Sequence, residues 1–450
     1  MSRTKDMTTG NPAKLILQFA LPLVITNMGQ QFYMIADASI VGRGVGVKAL
    51  ASVGSADWIY WLILWTVIGL TQGFSTFISR FFGDKNYRDM NKTIAMSTLL
   101  CGVIGILLTL VGIIAAEPVL RLLKTPTDII DGALLYLITM ISGTIVVSAY
   151  NMASSVLRAL GDGKTPMIAM LIAAFLNIGL DLIFVMNFKW GIFGAAFASV
   201  LSQLVSFIYC LLQIGKIDFI KLDKSSWKVD LSAIGKLLKF SIPLATQYMV
   251  IALGGIILQS TINLQGSAFV AGYTAVNKLY GFLECTAISL GAAFITFFAQ
   301  NFGAGKNHRV EQGIKTGIRL CVVASVIISV VILLFGKAML QLFLDISEQD
   351  GMKALQIGWH YLWIMALFLS ILYLIYVYRS VLQAAEISVW SMVSGFGEFG
   401  VRVIMGKVII HWLGVDTLFF IEPVAWVAAL LFVMIPYYAK KNILIKKETP

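Results

Sequence analysis

TIAMSTLLCGVIGILLTLVGIIAA, residues 93–116, runs for 24 residues without a charge. About 20 such residues cross the hydrocarbon core of a bilayer as a helix. In lipid the backbone N–H and C=O groups must be satisfied within the segment, so the run is a helix and not an open strand. No strict apolar/polar alternation appears on either side of it, which argues against a β-barrel. Working outward, similar runs predict helices at 15–41, 52–80, 130–158, 167–187 and 191–215. A second set is predicted at 236–263, 272–300, 310–335, 352–380, 388–412 and 417–439. The expected fold class is an all-α membrane protein with twelve transmembrane helices in two six-helix pseudo-symmetric bundles.

The composition agrees: 58% of the 450 residues are hydrophobic and 13% charged, too little charge to cover a soluble surface. The net charge of +11 sits in loops between apolar runs, where it sets topology, so no nucleic-acid partner is expected. Cys101, Cys210, Cys285 and Cys321 all fall inside apolar runs and read as small buried hydrophobes. No cleaved leader is expected, because no small-residue cleavage site follows a short apolar core. The three histidines are scattered, so no metal site is expected. There is no nucleophile elbow, phosphate loop or paired catalytic acids in a loop, so neither an enzyme nor a bound cofactor is expected.

Residues 215–231 hold Lys216, Lys221, Lys224 and Lys228 with Asp218, Asp223 and Asp230, the only long polar stretch in the interior. This divides the chain into an N-terminal bundle (1–215), a cytoplasmic linker (216–235) and a C-terminal bundle (236–450). With both termini and the linker on one side, that side collects 23 Lys and Arg, from Arg3 through Arg379 to Lys446 and Lys447. The opposite loops hold 7, so both termini are expected in the cytoplasm.

The halves repeat. FALPLVI around Pro22 matches FSIPLAT around Pro243, and SRFFGDKN around Gly83 matches AQNFGAGKN around Gly303, at separations of 221 and 220 residues. VLRAL at 156–160 matches VLQAA at 381–385 at a separation of 225. Parallel repeats of six helices are a transporter design in which two bundles rock about a central site, and Pro22 and Pro243 are the candidate hinges.

Charges inside a membrane cost about 2.5–3.5 kcal/mol on insertion scales, which makes each one a functional candidate. Asp37 lies far along the first helix, past Pro22. Asn177 and Asp181 are spaced to share a face of the fifth helix. Tyr136 and Ser199 offer hydroxyls at comparable depth. Two carboxylates with an amide and hydroxyls suit a proton or a small hard cation. An acid that meets water in one conformation and is enclosed in the other changes its proton affinity with the transport step. In the second half Glu398 and Arg402 are expected to pair with each other. Glu284, Lys278, Tyr373, Tyr376, Gln259 and Arg402 are candidates to line a substrate cavity, the tyrosines by stacking on cations. His411, Asp416 and Glu422 are expected at the interface, as are Trp58, Trp61, Trp359 and Trp363.

The residues also carry a resemblance. DASIVGRGVGVKALA (37–51), ISRFFGDKN (78–86), LRALGDGKTPMIAMLIAAFLNIGLDLIF (157–184) and GIFGAAFASV (191–200) resemble signatures of the multidrug and toxic compound extrusion family, nearest its DinF-like branch. AQNFGAGKN (299–307) repeats one of them, and the similarity covers about residues 11–440. The resemblance implies that Asp37 takes up the coupling ion, with Asn177, Asp181, Tyr136 and Ser199 as its partners. The sodium-coupled branch carries acids on the seventh and tenth helices. This chain departs from it, offering Gln247 and Gln259 on the seventh and Tyr373, Tyr376 and Tyr378 on the tenth. The expected function is a monomeric exporter of amphipathic, often cationic, drugs or metabolites in the inner cell membrane, exchanging them for protons. The alternatives are a sodium-coupled exporter and a flippase for lipid-linked oligosaccharides, a relative of the same superfamily.

Overall fold

A computed structural model of the chain describes residues 4–344 and 349–444. Arg3, Lys446 and Lys447 of the charge count lie outside the described residues. The first half folds as α1 (Pro12–Gly44), α2 (Val47–Gly83), α3 (Tyr87–Leu122), α4 (Ile130–Ser142), α5 (Thr144–Ala159), α6 (Lys164–Asp181) and α7 (Gly191–Ile214). The second folds as α8 (Leu231–Ile262), α9 (Ser267–Gly303), α10 (Asn307–Gln341), α11 (Gln349–Ala384), α12 (Val389–Ile404), α13 (Ile410–Leu413) and α14 (Thr417–Leu444). No strand occurs among the described residues.

Nine of these helices are long and apolar enough to cross a membrane, ten when α4 and α5 count as one span, among the described residues. The run expected as one helix at 130–158 is bent by 45° at Gly143. A side chain at Gly143 would run into Val200 of α7, so the break lies where the chain packs closely against α7. The remaining long helix, α1, carries Asp37, and α12 carries Glu398 and Arg402 before a π turn, Met405–Ile409, interrupts the run expected at 388–412. These two complete the twelve-helix arrangement.

The chain forms two compact units. Unit 1 takes the residues up to Asp6 together with Leu21–Ala245, and unit 2 takes Met7–Ala20 and the chain from Thr246 onward. The division falls inside α1 beside Pro22 and inside α8 beside Pro243. Within unit 1, α2 packs on α3, α4 and α5, and α7 on α5 and α6. Within unit 2, α11 packs on α9, α10 and α14, and α12 on α14. Helices surrounded by lipid gain little from apolar contact alone and instead use small residues to approach closely. Gly272 of α9 faces Gly358 of α11, where an added Cβ would lie 2.5 Å from the Ala354 carbonyl oxygen.

The internal repeat extends to the backbone. Left-handed residues recur in pairs: Gly46 with Gly266, Lys85 with Gly305, Gly161 with Glu386, and Gly191 with Gly414. A π turn follows α6 at Leu182–Asn187, as one follows α12. The GDGKTP segment starts α6. Asp162 accepts the backbone N–H groups of Lys164 (3.0 Å) and Thr165 (2.9 Å), which satisfies donors the helix leaves unpaired. That signature therefore fixes the start of the helix bearing Asn177 and Asp181.

Candidate functional site

In unit 1 the residues singled out by type and spacing converge. Asp37 comes from α1, Asn177 and Asp181 from the last turns of α6, and Ser199 from α7. Asn177 and Asp181 are almost fully buried, and Ser199 is buried beside them. With its amide oriented to satisfy both neighbours, Asn177 donates to Asp181 Oδ2 at 2.9 Å and accepts from the Ser199 hydroxyl at 3.2 Å. The Tyr33 hydroxyl lies 3.0 Å from Ser199 Oγ. A continuous polar chain thus runs from α1 through α7 to α6. Asp37 and Asp181 are near enough to each other to interact. Each nevertheless keeps one buried carboxyl oxygen, Oδ1, without a hydrogen-bond partner among the described residues.

Buried carboxyl oxygens are costly when unpaired. Two such carboxyls close to each other, with an amide fixing one of them in place, form an arrangement that a proton or a small hard cation completes. The π turn after Asp181 redirects the helix at this point, and such turns concentrate at functional sites.

Tyr136 interacts with Asp37 and Tyr33 only at longer range, and its hydroxyl donates to Asp57 on α2 at 3.3 Å. Tyr60, one turn further along α2, is buried beside Asp57. Tyr33, Asp57 and Tyr60 were not among the sequence candidates. Asp57 sits in a Trp- and Tyr-rich stretch that reads as an interfacial belt; Trp58 is half exposed, Tyr60 is buried and Asp57 is partly buried. The signal that finds Asp57 is an acid inside a membrane span, the same one that found Asp37.

Unit 2 corrects several expectations. Arg379, counted among the cytoplasmic loop charges, is buried within α11 and donates to Glu398. Glu422, expected at the interface, has a side chain only 12% exposed and forms a two-pronged pair with Arg402, at 3.0 and 2.8 Å. Glu398 and Arg402 do meet, at 3.5 Å, but the shorter bonds of each go to other helices. The result is a chain of four charges, Arg379–Glu398–Arg402–Glu422, the first three buried and Glu422 mostly so. The intrahelical spacing could not show it, because the partners lie on α11 and α14.

Of the residues expected to line a cavity, Arg402 is held in that chain. Tyr373 is fully buried, its hydroxyl bound to the Leu283 carbonyl at 2.9 Å. Glu284 accepts from the Tyr376 hydroxyl at 3.0 Å. Gln259 donates to Asn263 at 2.8 Å, and Lys278 is exposed. The four cysteines are buried, and none forms a disulfide among the described residues. No group of three or more metal-ligating side chains occurs among the described residues.

Comparison with known proteins gives a consistent picture. The family model described as MatE matches the chain twice, at residues 22–183 and 243–408, in step with the internal repeat. "Probable multidrug resistance protein YpnP" of Bacillus subtilis (strain 168) is 31% identical over 411 residues, 91% of each chain. "Probable multidrug resistance protein YoeA" of the same organism is 27% identical over 413 residues, 89% of this chain and 87% of the other. A solved structure described as the outward-facing conformation of a multidrug resistance MATE family transporter of the MOP superfamily superposes with a TM-score of 0.90 at 20% identity, covering 99% of this chain and 98% of that one.

Proposed function

Because the chain belongs to the multidrug and toxic compound extrusion family, a family of multidrug efflux transporters and not of enzymes, we propose that it exports amphipathic, often cationic, organic molecules in exchange for protons bound at Asp37 and Asp181. The observation that supports this most is the pair of unpartnered carboxyl oxygens on α1 and α6. A proton entering between the two acids removes one buried charge, and the Asn177 amide keeps Asp181 oriented to receive it. Ions shift a conformational equilibrium only through a difference in affinity between its states. A site that is enclosed in one state and wetted in the other provides that difference, and Pro22 and Pro243 supply hinges where their helices pass from one unit to the other. Exchange of one proton for one monovalent drug cation moves no net charge. The pH gradient then drives export, at about 1.4 kcal/mol per unit.

The same oxygens could coordinate sodium, which is the second reading of the cluster. The basic bias of the loops, 22 against 7 once the buried Arg379 is set aside, supports a plasma-membrane protein with both termini in the cytoplasm. The first-helix acid supports placement in the DinF-like branch. Against a flippase stands the fate of Arg402, which is paired internally and so leaves little positive charge to receive a pyrophosphate. Ethidium efflux and drug resistance in a pump-deficient host test this function. Efflux that collapses when the proton gradient is dissipated at constant sodium supports it. Absence of efflux for any cationic dye, with rescue of a flippase-deficient strain, reverses it.

A further inference from the structure

The repeat aligns three residues of one polar cluster with three of the other. Asn177 and Glu398, like Asp181 and Arg402, are separated by 221 residues, the separation of Pro22 and Pro243. Ser199 and Glu422 are separated by 223, as are Gly191 and Gly414, the left-handed glycines at the start of α7 and shortly before α14. Each cluster ends at a π turn, Leu182–Asn187 in unit 1 and Met405–Ile409 in unit 2. In unit 1 the cluster is built from α1, α6 and α7. The repeat counterparts of those helices are α8, α12 and α14.

The Arg402 guanidinium is held by oxygens from those same three helices. It donates to the Ile251 carbonyl of α8 at 3.2 Å, pairs with Glu398 of α12 at 3.5 Å, and binds Glu422 of α14 at 2.8 and 3.0 Å. Arg379 of α11 holds the other oxygen of Glu398 and also donates to Ser394. Two guanidinium groups and two carboxylates leave the chain neutral. Unit 1, by contrast, offers two acids and no base at the corresponding place. The acid of α9 that interacts with Arg402 is Glu284, bound to Tyr376. Tyr273 and Tyr280 of α9 and Tyr361 of α11 are its other titratable neighbours.

We infer that unit 2 contains a second ion site of the same construction, closed to mobile ions because the Arg402 guanidinium, covalently part of α12, occupies the cation position. The inference rests on reading the unit 1 cluster as an ion site. Exchange of ions is thereby confined to unit 1, and Arg402 is a positioning residue that sets how many ions move per cycle. Removing its charge leaves Glu422 without a counter-charge among oxygens from three helices, a vacancy that sodium or a proton can fill.

The test uses the full-length protein in detergent, in an Asp37→Asn background that silences the unit 1 site. The melting temperature is followed as sodium replaces choline at constant ionic strength, and separately as the pH is lowered. The Asp37→Asn protein should be flat in sodium. Adding Arg402→Met should create a rise of several degrees over an approximately 100-fold increase in sodium, or a matching rise on acidification. Arg402→Lys should remain flat, and Arg402→Met with Glu422→Gln should lose the new dependence. A melting temperature of Arg402→Met no more sensitive to sodium or acid than that of its parent overturns the inference. Arg402→Gln runs in parallel against misfolding. If neither variant is recovered in high sodium or acid while the Arg402→Met, Glu422→Gln pair folds, a mobile cation cannot take the place of the guanidinium and the inference is again overturned. Sodium or proton dependence of transport that survives Asp37→Asn alone contradicts the unit 1 reading instead, which separates the two failures.

Discussion

Asp181 is oriented by a neighbour one helical turn earlier, and that pairing was legible: Asn177 and Asp181 at i, i+4 must share a face. What the spacing could not give was Asp57, because its bond to Tyr136 joins α2 to α4 across the tertiary structure. A hydrogen bond to a charged group contributes about 1.5–3 kcal/mol, so Asp57→Asn should lower transport roughly tenfold or more if Tyr136 positions the cluster. Dye efflux at matched expression measures it, and unchanged efflux would leave Asp57 a packing residue. Glu422 escaped notice because an acid near the end of an apolar run resembles an interfacial one. Its partner, Arg402, lies 20 residues earlier in the sequence on another helix. Glu422→Gln should destabilise unit 2 by about 3 kcal/mol, since a buried guanidinium loses its closest counter-charge. Thermal unfolding in detergent would show a clear drop in melting temperature, and no drop would mean that water reaches Arg402.

At the level of elements, helix positions were readable because lipid permits only helices of sufficient length. Their ends were read short: 93–116 grew to Tyr87–Leu122 and 310–335 to Asn307–Gln341, since charged turns continue beyond the hydrocarbon. The bend at Gly143 was invisible, because it answers to Val200 on another helix. The close approach of α9 and α11 should make Gly272→Ala destabilising by about 1–3 kcal/mol, the usual cost of overpacking. A melting temperature equal to that of the unsubstituted protein would contradict the packing. The linker is tied to α3 where Lys92 binds Asp230 at 2.5 Å, and Asp230 also accepts the N–H groups that open α8. Lys92 holds the Asp230 carboxyl down at about 2. A depressed acid stabilises the folded state above its unfolded value of about 3.9 and loses that contribution as the pH falls through the folded value. Asp230→Asn should therefore lower the melting temperature modestly at neutral pH and at low salt. The gap should close between about pH 4 and pH 2, and a gap constant down to pH 2 would rule out the ion pair as its cause.

At the scale of the molecule, the two family matches at 22–183 and 243–408, the paired left-handed residues and the paired π turns describe one architecture used twice with different chemistry. The repeat was legible from three short matches. Its consequence, that Asn177 and Asp181 correspond to Glu398 and Arg402, required the partners that the fold supplies. Unit 1 presents two acids with open oxygens, and unit 2 presents charges already paired. On the proposed ion coupling, an exporter built this way changes its ion affinity in one unit only.

Reconstitution in liposomes with an imposed pH gradient and no sodium tests the proton-coupling account most directly, with the unsubstituted chain and Asp37→Asn compared for ethidium transport. The account predicts transport by the unsubstituted protein that scales with the gradient, and none by Asp37→Asn. Equal transport by the two, or transport that requires sodium and ignores the gradient, would contradict it.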